Sequence, residues 1–516
     1  MTNPRTDLKS LVVYAITIPL ALLIGYLLAN QSLQDITLIG VVLLLLCAPL
    51  AIHFHYPLML VAWNMGAVVF FLPGRMYLWM VAILLSFGMS FSHRILDKRI
   101  RFLWVPEITR PLIFLAVVAL VTAQLRGGFG FRFMGGEAAG SRRYVELMVG
   151  ILGFFALSAL HISPEQRRRY LGLFYLGGLG GAIAVLFGHL PDFMNFIFLF
   201  IPPQTVAPEG GGVFIAFRPL TWPAIAVMSY VLARHGLRGV IAPLNGRRFL
   251  VVVASILVVI FSGSRLGFVV VAMILSLLYW FEGLVRSRLT PFVLLACVLA
   301  AALIAPFAHR LPLSMQRTLA ILPIEVDPMA RATAEGSSEW RREIWRVTIP
   351  EIPKYLLLGK GYAISREDLS YMMDASFGEG RRVEDRSATI AGDFHNGPLS
   401  VIIPFGIWGV LGFVWFLIAG YRVLRRNYLF GGLDLAKVNT FLLVSYLVAT
   451  ISFVFVMGSL QTGMVAFTGI IGLSVALNGG VARPPAPQPA LPPRKPGPPG
   501  PRPSHRLPAR STPPNP

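Results

Sequence analysis

Runs of about 20 apolar residues recur from near the N-terminus almost to the end of this chain, and each is long enough to cross a bilayer core as a helix. The composition agrees, because 55% of the 516 residues are hydrophobic and only 13% are charged. Soluble enzymes do not have this composition, and intrinsically disordered chains are poor in apolar residues. The sequence therefore predicts an all-α, polytopic integral membrane protein.

The apolar runs divide the chain into four parts. We expect transmembrane helices over residues 1–308, a mostly helical extramembrane loop over 309–395, further transmembrane helices over 396–478 and a tail over 479–516, with about 12–14 spans in total. The first run, Ser10–Asn30, has no small-residue cleavage site and is expected to remain as an anchor. The other candidate spans are centred in 36–54, 57–72, 77–91, 111–125, 144–161, 170–190, 219–233, 249–263, 266–284, 291–308, 397–421, 438–459 and 463–477.

The net charge of +21 indicates membrane orientation and not nucleic-acid binding, because the basic residues punctuate the apolar runs and form no continuous stripe. Cytoplasmic loops of membrane proteins are rich in Lys and Arg. With a cytoplasmic N-terminus, alternating spans place the main basic clusters on one side, which predicts that both termini are cytoplasmic. These clusters lie in residues 94–110, 167–169, 234–248, 286–288 and 422–437.

The loop 309–395 has a different composition, with twelve Lys/Arg and thirteen of the 24 Asp/Glu. Long extramembrane segments escape the charge rule, so we place this loop on the outer face. Within it, a helix is expected to start at a Ser338 cap and to be limited by Pro350 and Pro353. The Pro-rich tail from Gly479 cannot bury a core and is expected to be disordered, either as a dispensable basic segment or as a partner-binding one.

Three places on the outer side carry charge where chemistry could occur. Arg265 lies in a tight turn between two spans, Arg341 and Arg342 lie on the predicted loop helix, and His395 stands at the entry to a span. Taken one at a time, the first two have ordinary explanations as a snorkelling arginine and a solvated helix face. His395 is more specific, because a helix N-terminus favours a neutral, base-competent imidazole.

The outer side offers no pattern for a metal or cofactor. Cys47 and Cys297 each lie inside an apolar run, so they indicate neither a disulfide framework nor a thiolate metal site. No Asp-x-Asp pair or His/Asp cluster with metal-ligand spacing occurs there. We therefore predict chemistry without a metal or cofactor.

Three motifs occur in the order that marks a known family. They are Ser264-Arg265-x-Gly267, then Arg341-x-x-x-Trp345 followed by Pro353 and Gly359-x-Gly361, and last His395-Asn396 followed by Gly406 and Gly409. On these motifs the chain resembles the O-antigen ligase and polymerase superfamily, bacterial inner-membrane glycosyltransferases that take glycans from a polyprenyl diphosphate carrier. The resemblance covers about Phe217–Leu477. It is incomplete at Arg218, where Pro219–Pro223 replaces the family's polar continuation.

The resemblance implies which residues hold the donor. A leaving diphosphate needs cations, and arginine is permanently charged and forks two hydrogen bonds to phosphate. Arg265, Arg341 or its neighbour Arg342, and Arg218 are the candidate diphosphate ligands. Ser264, Gly267 and Trp345 belong to the same motifs and are expected to support them.

The resemblance also implies a general base. The acceptor hydroxyl loses its proton as it attacks the anomeric carbon, and His395 is the candidate to take it, a role typically contributing about 10²–10⁴-fold in rate. Asn396 is expected to orient His395. Attack opposite the leaving diphosphate implies inversion of the anomeric centre.

The identity of the substrates stays open. The donor is expected to be a polyprenyl diphosphate-linked glycan in contact with membrane lipid, and the acceptor a glycan, lipid A-core or protein, so ligase, polymerase and protein glycosyltransferase share these motifs. The alternative class is a flippase or transporter without catalysis. Transporters usually have repeated halves with broken helices at mid-membrane, and no such repeat is evident in the sequence.

Overall fold

The computed structural model describes residues 33–70, 75–97, 103–127, 141–187, 217–242, 246–288, 290–364 and 392–484, with isolated positions at 17–19, 25, 72, 201, 208–209, 214–215 and 390. Most of the predicted first span, residues 365–389 of the loop and the tail from residue 485 lie outside the described residues. The described part is helical apart from two hairpins of two-residue strands. This confirms the predicted all-α class.

The first half of the chain contains seven described α-helices and one of the two hairpins. The last two of these helices are joined by a 3-10 turn, Gly177–Leu179. The two strands of this half pair antiparallel, with Val68 opposite Tyr77. The elements are α1 (Leu33–His53), α2 (His55–Ala62), β1 (Val68–Val69), β2 (Met76–Tyr77), α3 (Leu78–Leu96), α4 (Pro106–Arg126), α5 (Ser141–Leu157), α6 (Pro164–Leu176) and α7 (Gly180–Phe187).

The second half contains the longest helices and the loop. A 3-10 turn, Arg218–Leu220, precedes α8, and a π-helical turn, Ser452–Val456, follows α16. The elements are β3 (Pro208–Glu209), β4 (Phe214–Ile215), α8 (Thr221–Ile241), α9 (Gly246–Phe261), α10 (Arg265–Phe281), α11 (Thr290–Ile304), α12 (Leu313–Leu319), α13 (Pro328–Thr348), α14 (Ile352–Tyr355), α15 (Gly397–Phe430), α16 (Ala436–Ile451) and α17 (Leu460–Asn478).

Six helices in the described residues are long and apolar enough to cross a membrane, or up to eight if each of two sharply bent pairs counts as one span. The predicted total of 12–14 includes segments that the structure divides. The expected span at 57–72 consists of the short helix α2 followed by β1, and the span at 170–190 is interrupted by the turn at Gly177–Leu179. Hydropathy alone detects the apolar stretch and not its breaks, so the larger count stays a prediction.

The glycines of that turn have a packing role. A Cβ atom on Gly177 would lie 2.2 Å from the carbonyl oxygen of Val61, and one on Gly180 would lie 2.4 Å from that of Met65. Small residues let transmembrane helices approach backbone to backbone. The glycine run therefore both interrupts the helix and brings α6 and α7 against α2.

One large core holds the bundle together. The helix α5 packs along α17, α4 along α15, and α8 against α9 and α16. Large side chains at the centre, including Tyr144, Phe154, Phe416 and Phe467, are almost completely buried. The polar loop segments lie at the ends of this core.

The bundle has two distinct ends. The hydroxyl of Tyr428, near the end of α15, donates to the carbonyl of Phe281 at the end of α10, 3.3 Å away, so these helices run in the same direction. We call the end with the starts of α8, α10 and α15 the outer end, and the opposite one the inner end. These names follow the predicted orientation, whose sidedness stays a prediction.

The helix α15 is broken near its start. Gly406 has φ 60° and ψ −157°, a conformation that favours glycine. The loop supplies the missing hydrogen bonds, because Ile407 N donates to Leu356 O at 2.7 Å and Gly361 N donates to Pro404 O at 3.0 Å. These hydrogen bonds join the outer part of α15 to the loop. The candidate functional residues of the two segments are therefore held in one structural unit.

The loop helix starts earlier than the sequence predicted. It begins at Pro328 after an Asp327 cap whose carboxylate accepts from Met329 N at 2.8 Å, so Ser338 lies inside the helix and does not cap it. Asp followed by Pro at the first helical position is itself a strong start signal, and the prediction overlooked it. The expected end is correct, since α13 stops at Thr348.

Candidate active site

Arg265 is placed by the contact between α8 and α10. The hydroxyl of Ser264 caps α10 by accepting from Gly267 N at 3.1 Å. Gly267 lies so close to Thr221 that a Cβ atom would meet its Cγ2 at 2.3 Å, and the Thr221 and Ser262 hydroxyls are 2.8 Å apart. Close helix packing therefore fixes the turn that presents Arg265.

The Arg265 guanidinium reaches into the loop subdomain. It donates to Ser337 Oγ at 2.6 Å and to Ser338 Oγ at 3.3 Å. The residues Arg218 and Arg341 lie close enough to act on its charge, and Arg218 also acts on Arg341. Three arginines from α10, α13 and the turn before α8 thus converge at the outer end.

Arg341 has little protein compensation for its charge. Burial, followed by the charge of Arg218, lowers the pKa of Arg341 from its usual value. The Nε of Arg341 is buried without a hydrogen-bond partner, and among the described residues its side chain makes one polar contact, at 3.8 Å to the sulfur of Met457. Neither Arg341 nor Arg265 forms an ion pair within the described residues. Half-buried like charges of this kind are costly unless an anion compensates them.

Arg342 is not part of this convergence. It is exposed on α13, whereas Arg341 and Ile344 point inward. Adjacent residues on a helix point about 100° apart, so only one of the two arginines can face α10. The structure brings Arg218, Arg265 and Arg341 together and leaves Arg342 outside.

His395 stands just before the broken helix in a strained conformation. Its φ of 46° is one of two positive values for a non-glycine residue in the described chain. Asn396 is the helix cap, because its Oδ1 accepts from Leu399 N at 3.0 Å. Asn396 therefore fixes the backbone directly after His395, and its predicted role in orienting the imidazole stays a prediction.

Two side chains surround the imidazole. Its Nδ1 lies 3.1 Å from Oδ1 of Asp393, at hydrogen-bond distance but with angles away from the ideal. The ring of Trp340 packs edge-on against it, with centroids 4.8 Å apart. This arrangement leaves Nε2 as the nitrogen that is not directed at the carboxylate.

Asp393 is stabilised as a carboxylate. Hydrogen bonding from His395 lowers the pKa of Asp393, burial opposes this, and the charges of His395 and Arg143 add to the lowering. An ionised carboxylate beside one imidazole nitrogen fixes the tautomer and stabilises the cation that forms on proton uptake.

A small apolar cluster supports the histidine segment. Trp345 donates its indole N–H to the carbonyl of Phe394 at 3.0 Å, and Phe394 packs with Leu399 and Ile403 of α15. Trp345 therefore contacts the peptide next to His395, and its predicted role in supporting the arginines stays a prediction.

A cavity of about 320 Å³ opens beside these groups. Asp393 and His395 line one part of it. Its remaining walls are mostly apolar and come from α8, α10 and the segment joining α16 to α17, including Trp222, Leu266 and Phe453. Asp393 and His395 thus border an apolar cavity at the outer end.

Sequence reasoning missed several residues of this site. Asp393 and Trp340 contact His395, and Ser337 is the nearer partner of Arg265. Arg317 is 5% exposed and donates to the carbonyl of Gly263 in the Arg265 turn. An acid two residues before His395 was a usable signal, whereas nothing in the sequence places Arg317 near Gly263.

Within the described ranges no group of three or more His, Cys, Asp or Glu side chains is arranged to hold a metal ion. The prediction of metal-independent chemistry is not tested by this finding.

The fold and site define a polytopic helical membrane protein with a group of arginines and a histidine-lined apolar cavity at one end. Residues 250–414 match the family model described as O-antigen ligase, a range that runs from α9 to the outer part of α15 and includes Arg265, Arg341 and His395. The predicted resemblance to the O-antigen ligase superfamily is therefore confirmed over these residues, about a third of the chain. No curated protein matches the chain significantly.

Proposed function

We propose that this protein transfers a glycan from a polyprenyl diphosphate carrier to an acceptor hydroxyl at the outer face of a bacterial inner membrane. The observation that carries the proposal is that Arg218, Arg265 and Arg341 lie together at the outer end, where the His395–Asp393 pair lines an apolar cavity and Arg341 contacts Met457 in its wall. Cations, a base and an apolar cavity suit the diphosphate, the acceptor proton and the carrier lipid respectively.

The arginines supply the charge that the donor needs. In the transfer, the bond between the anomeric carbon and the diphosphate oxygen breaks, and its electron pair stays on that oxygen. Arg265 is held by Ser337 and Ser338 before the donor arrives, so it can stabilise this charge with little reorganisation, and Arg341 adds its charge nearby. A bound diphosphate also compensates their mutual repulsion, which explains why the protein tolerates three arginines without an acid beside Arg341.

His395 supplies the base. The acceptor oxygen forms the new bond to the anomeric carbon and its proton passes to Nε2 of His395, while Asp393 on the Nδ1 side stabilises the resulting imidazolium. Attack opposite the departing diphosphate inverts the anomeric centre. Arg317 positions the Arg265 turn in this scheme, and it is not a ligand of the substrate.

One observation favours the transporter class, namely the break of α15 at Gly406, since transporters use broken helices. The break is closed by loop backbone at Leu356 and Gly361. It therefore fixes the loop on the helix, and we prefer the transferase.

The test is a transfer assay on purified protein with a polyprenyl diphosphate-linked glycan, in which donor binding and turnover are measured separately. His395→Ala is expected to reduce turnover by about 10²–10⁴-fold with donor binding largely kept. Arg265→Lys retains the charge and loses the fork, so it should weaken transfer as well. Arg342→Gln is the matched control on the same helix and should behave as the wild type.

The opposite results are equally informative. Normal transfer by Arg265→Ala in correctly inserted protein removes Arg265 from the site. Transfer restored by His395→Arg removes the base role, because guanidinium does not accept a proton. In a deletion strain, accumulated lipid-linked polymer identifies a ligase, and accumulated single repeat units identify a polymerase.

A further inference from the structure

Two adjoining cavities lie at the inner end, opposite the proposed active site. One of about 530 Å³ lies against α6 and α8, and one of about 510 Å³ lies against α1 and α2. They share Val61, Arg169 and Leu173 as lining residues. We call the combined space the inner groove.

The inner groove is apolar along most of its length and charged at one end. Leu50, Phe54 and Leu58 line the α1–α2 part, and Leu50 is 62% exposed although it lies beside Leu173 in the same cavity. The charged end is formed by the first turns of α6, with Arg168, Arg169 and one acid, Glu165. A groove with this polarity fits a molecule with a charged head and an apolar chain.

The charge of this end is positive. Arg167 is paired with Asp434, whereas Arg168 and Arg169 are exposed and form no ion pair within the described residues. Arg168 is also one of four cations whose charges act on His235. The other three come from neighbouring helices and are Arg234, Arg248 and Lys437. In the lining of the groove itself, Arg168 and Arg169 outnumber the single carboxylate of Glu165, so the groove mouth attracts an anion.

The position of the mouth distinguishes it from the donor site. Asp434, the partner of Arg167, follows the inner end of α15, whereas His395, 39 residues earlier, precedes the outer end of that helix. The predicted orientation puts this end at the cytoplasmic leaflet.

We propose that the inner groove binds an anionic glycerophospholipid, with its phosphate on Arg168 and Arg169 and one acyl chain along Leu58, Phe54 and Leu50. Basic side chains near a membrane surface attract anionic lipid by about 1 kcal/mol each. The apolar walls supply the contact with the chain. Removing both arginines should therefore weaken binding by about 30-fold.

The experiment is native mass spectrometry of the full chain in detergent, titrated with dioleoyl phosphatidylglycerol or zwitterionic dioleoyl phosphatidylcholine. The wild type should retain phosphatidylglycerol preferentially. The double variant R168Q/R169Q should bind it about 30-fold more weakly and lose the preference. The matched control R286Q/R288Q removes two exposed inner-end arginines outside the groove and should bind as the wild type.

A second variant tests the apolar part. Leu173→Trp fills the junction of the two cavities and keeps both arginines, so it should weaken both lipids, with folding checked by thermal stability. Unchanged phosphatidylglycerol binding by R168Q/R169Q overturns the proposal. Competition by glycerol phosphate as effective as that by the whole lipid also overturns it, because the groove would then recognise a head group alone. Preferential retention of polyprenyl phosphate over phosphatidylglycerol assigns the groove to a different lipid and has the same consequence.

Discussion

Gly267→Ala tests whether the contact between α8 and α10 positions the site. The new Cβ atom would lie 2.3 Å from Cγ2 of Thr221, and its other neighbours, the Ser264 hydroxyl and Val259, are 3.3 Å away. Overpacking costs about 1–3 kcal/mol, and this contact is severe enough to favour the upper half. The higher helix propensity of alanine returns up to about 1 kcal/mol. We expect a net destabilisation of about 1–2 kcal/mol.

The structure also predicts the rescue. Thr221→Ser deletes the Cγ2 methyl group that the alanine would meet and keeps the hydroxyl that pairs with Ser262. The double variant should therefore recover at least half of the lost stability and activity. Gly88→Ala is the matched control, because Gly88 lies in the middle of α3 with nothing within 4 Å of an added Cβ atom.

The assay is apparent Tm by intrinsic fluorescence together with transfer activity, for both single variants, the double variant and the control. Because Gly267 lies two residues after Arg265, the clash should reduce transfer more than the loss of stability alone. The contrary result is a double variant no more stable than Gly267→Ala, with the two substitutions changing the free energy of unfolding additively within about 0.5 kcal/mol. That result would refute the close approach of α8 and α10 at this point.

Two further predictions concern the loop. Because the pKa of Asp393 is lowered, its carboxylate contributes stability above the ordinary carboxyl pKa and loses this contribution as the pH falls through the lowered value. The thermal stability of the wild type should therefore fall at acid pH more than that of Asp393→Asn. Identical pH profiles of the two proteins would contradict this. A cysteine placed at Gly336 in protein lacking Cys47 and Cys297 should react with an impermeant maleimide from outside the cell, whereas one at Ser504 should not, and the reverse result overturns the orientation.

The apolar runs determine the fold class from the sequence alone, because about 20 apolar residues must bury their backbone polar groups as a helix in lipid. The same runs do not determine where helices break. At Gly406 the interruption is stabilised by hydrogen bonding to the Leu356 carbonyl, and at Gly177 the Val61 carbonyl occupies the space that a side chain would need. Such partners are absent from any local pattern.

The candidate site divides in the same way. Arg265, Arg341 and His395 were identified because their motifs are local and ordered along the chain. The sequence alone does not choose between Arg341 and Arg342, because the choice depends on which face of α13 meets α10. Local signals name the residue types that phosphate and proton chemistry need, and long-range packing decides which of them point at one another.

Arg317 and the inner groove are products of the tertiary structure alone. Arg317 reaches the Gly263 carbonyl across 54 positions of sequence, and the groove is built by α1, α2, α6 and α8, which are far apart along the chain. The sequence determines how much of each helix is apolar and where charge lies along it. Side-chain contacts between distant helices depend on their rotation and crossing, which follow from packing the whole bundle at once.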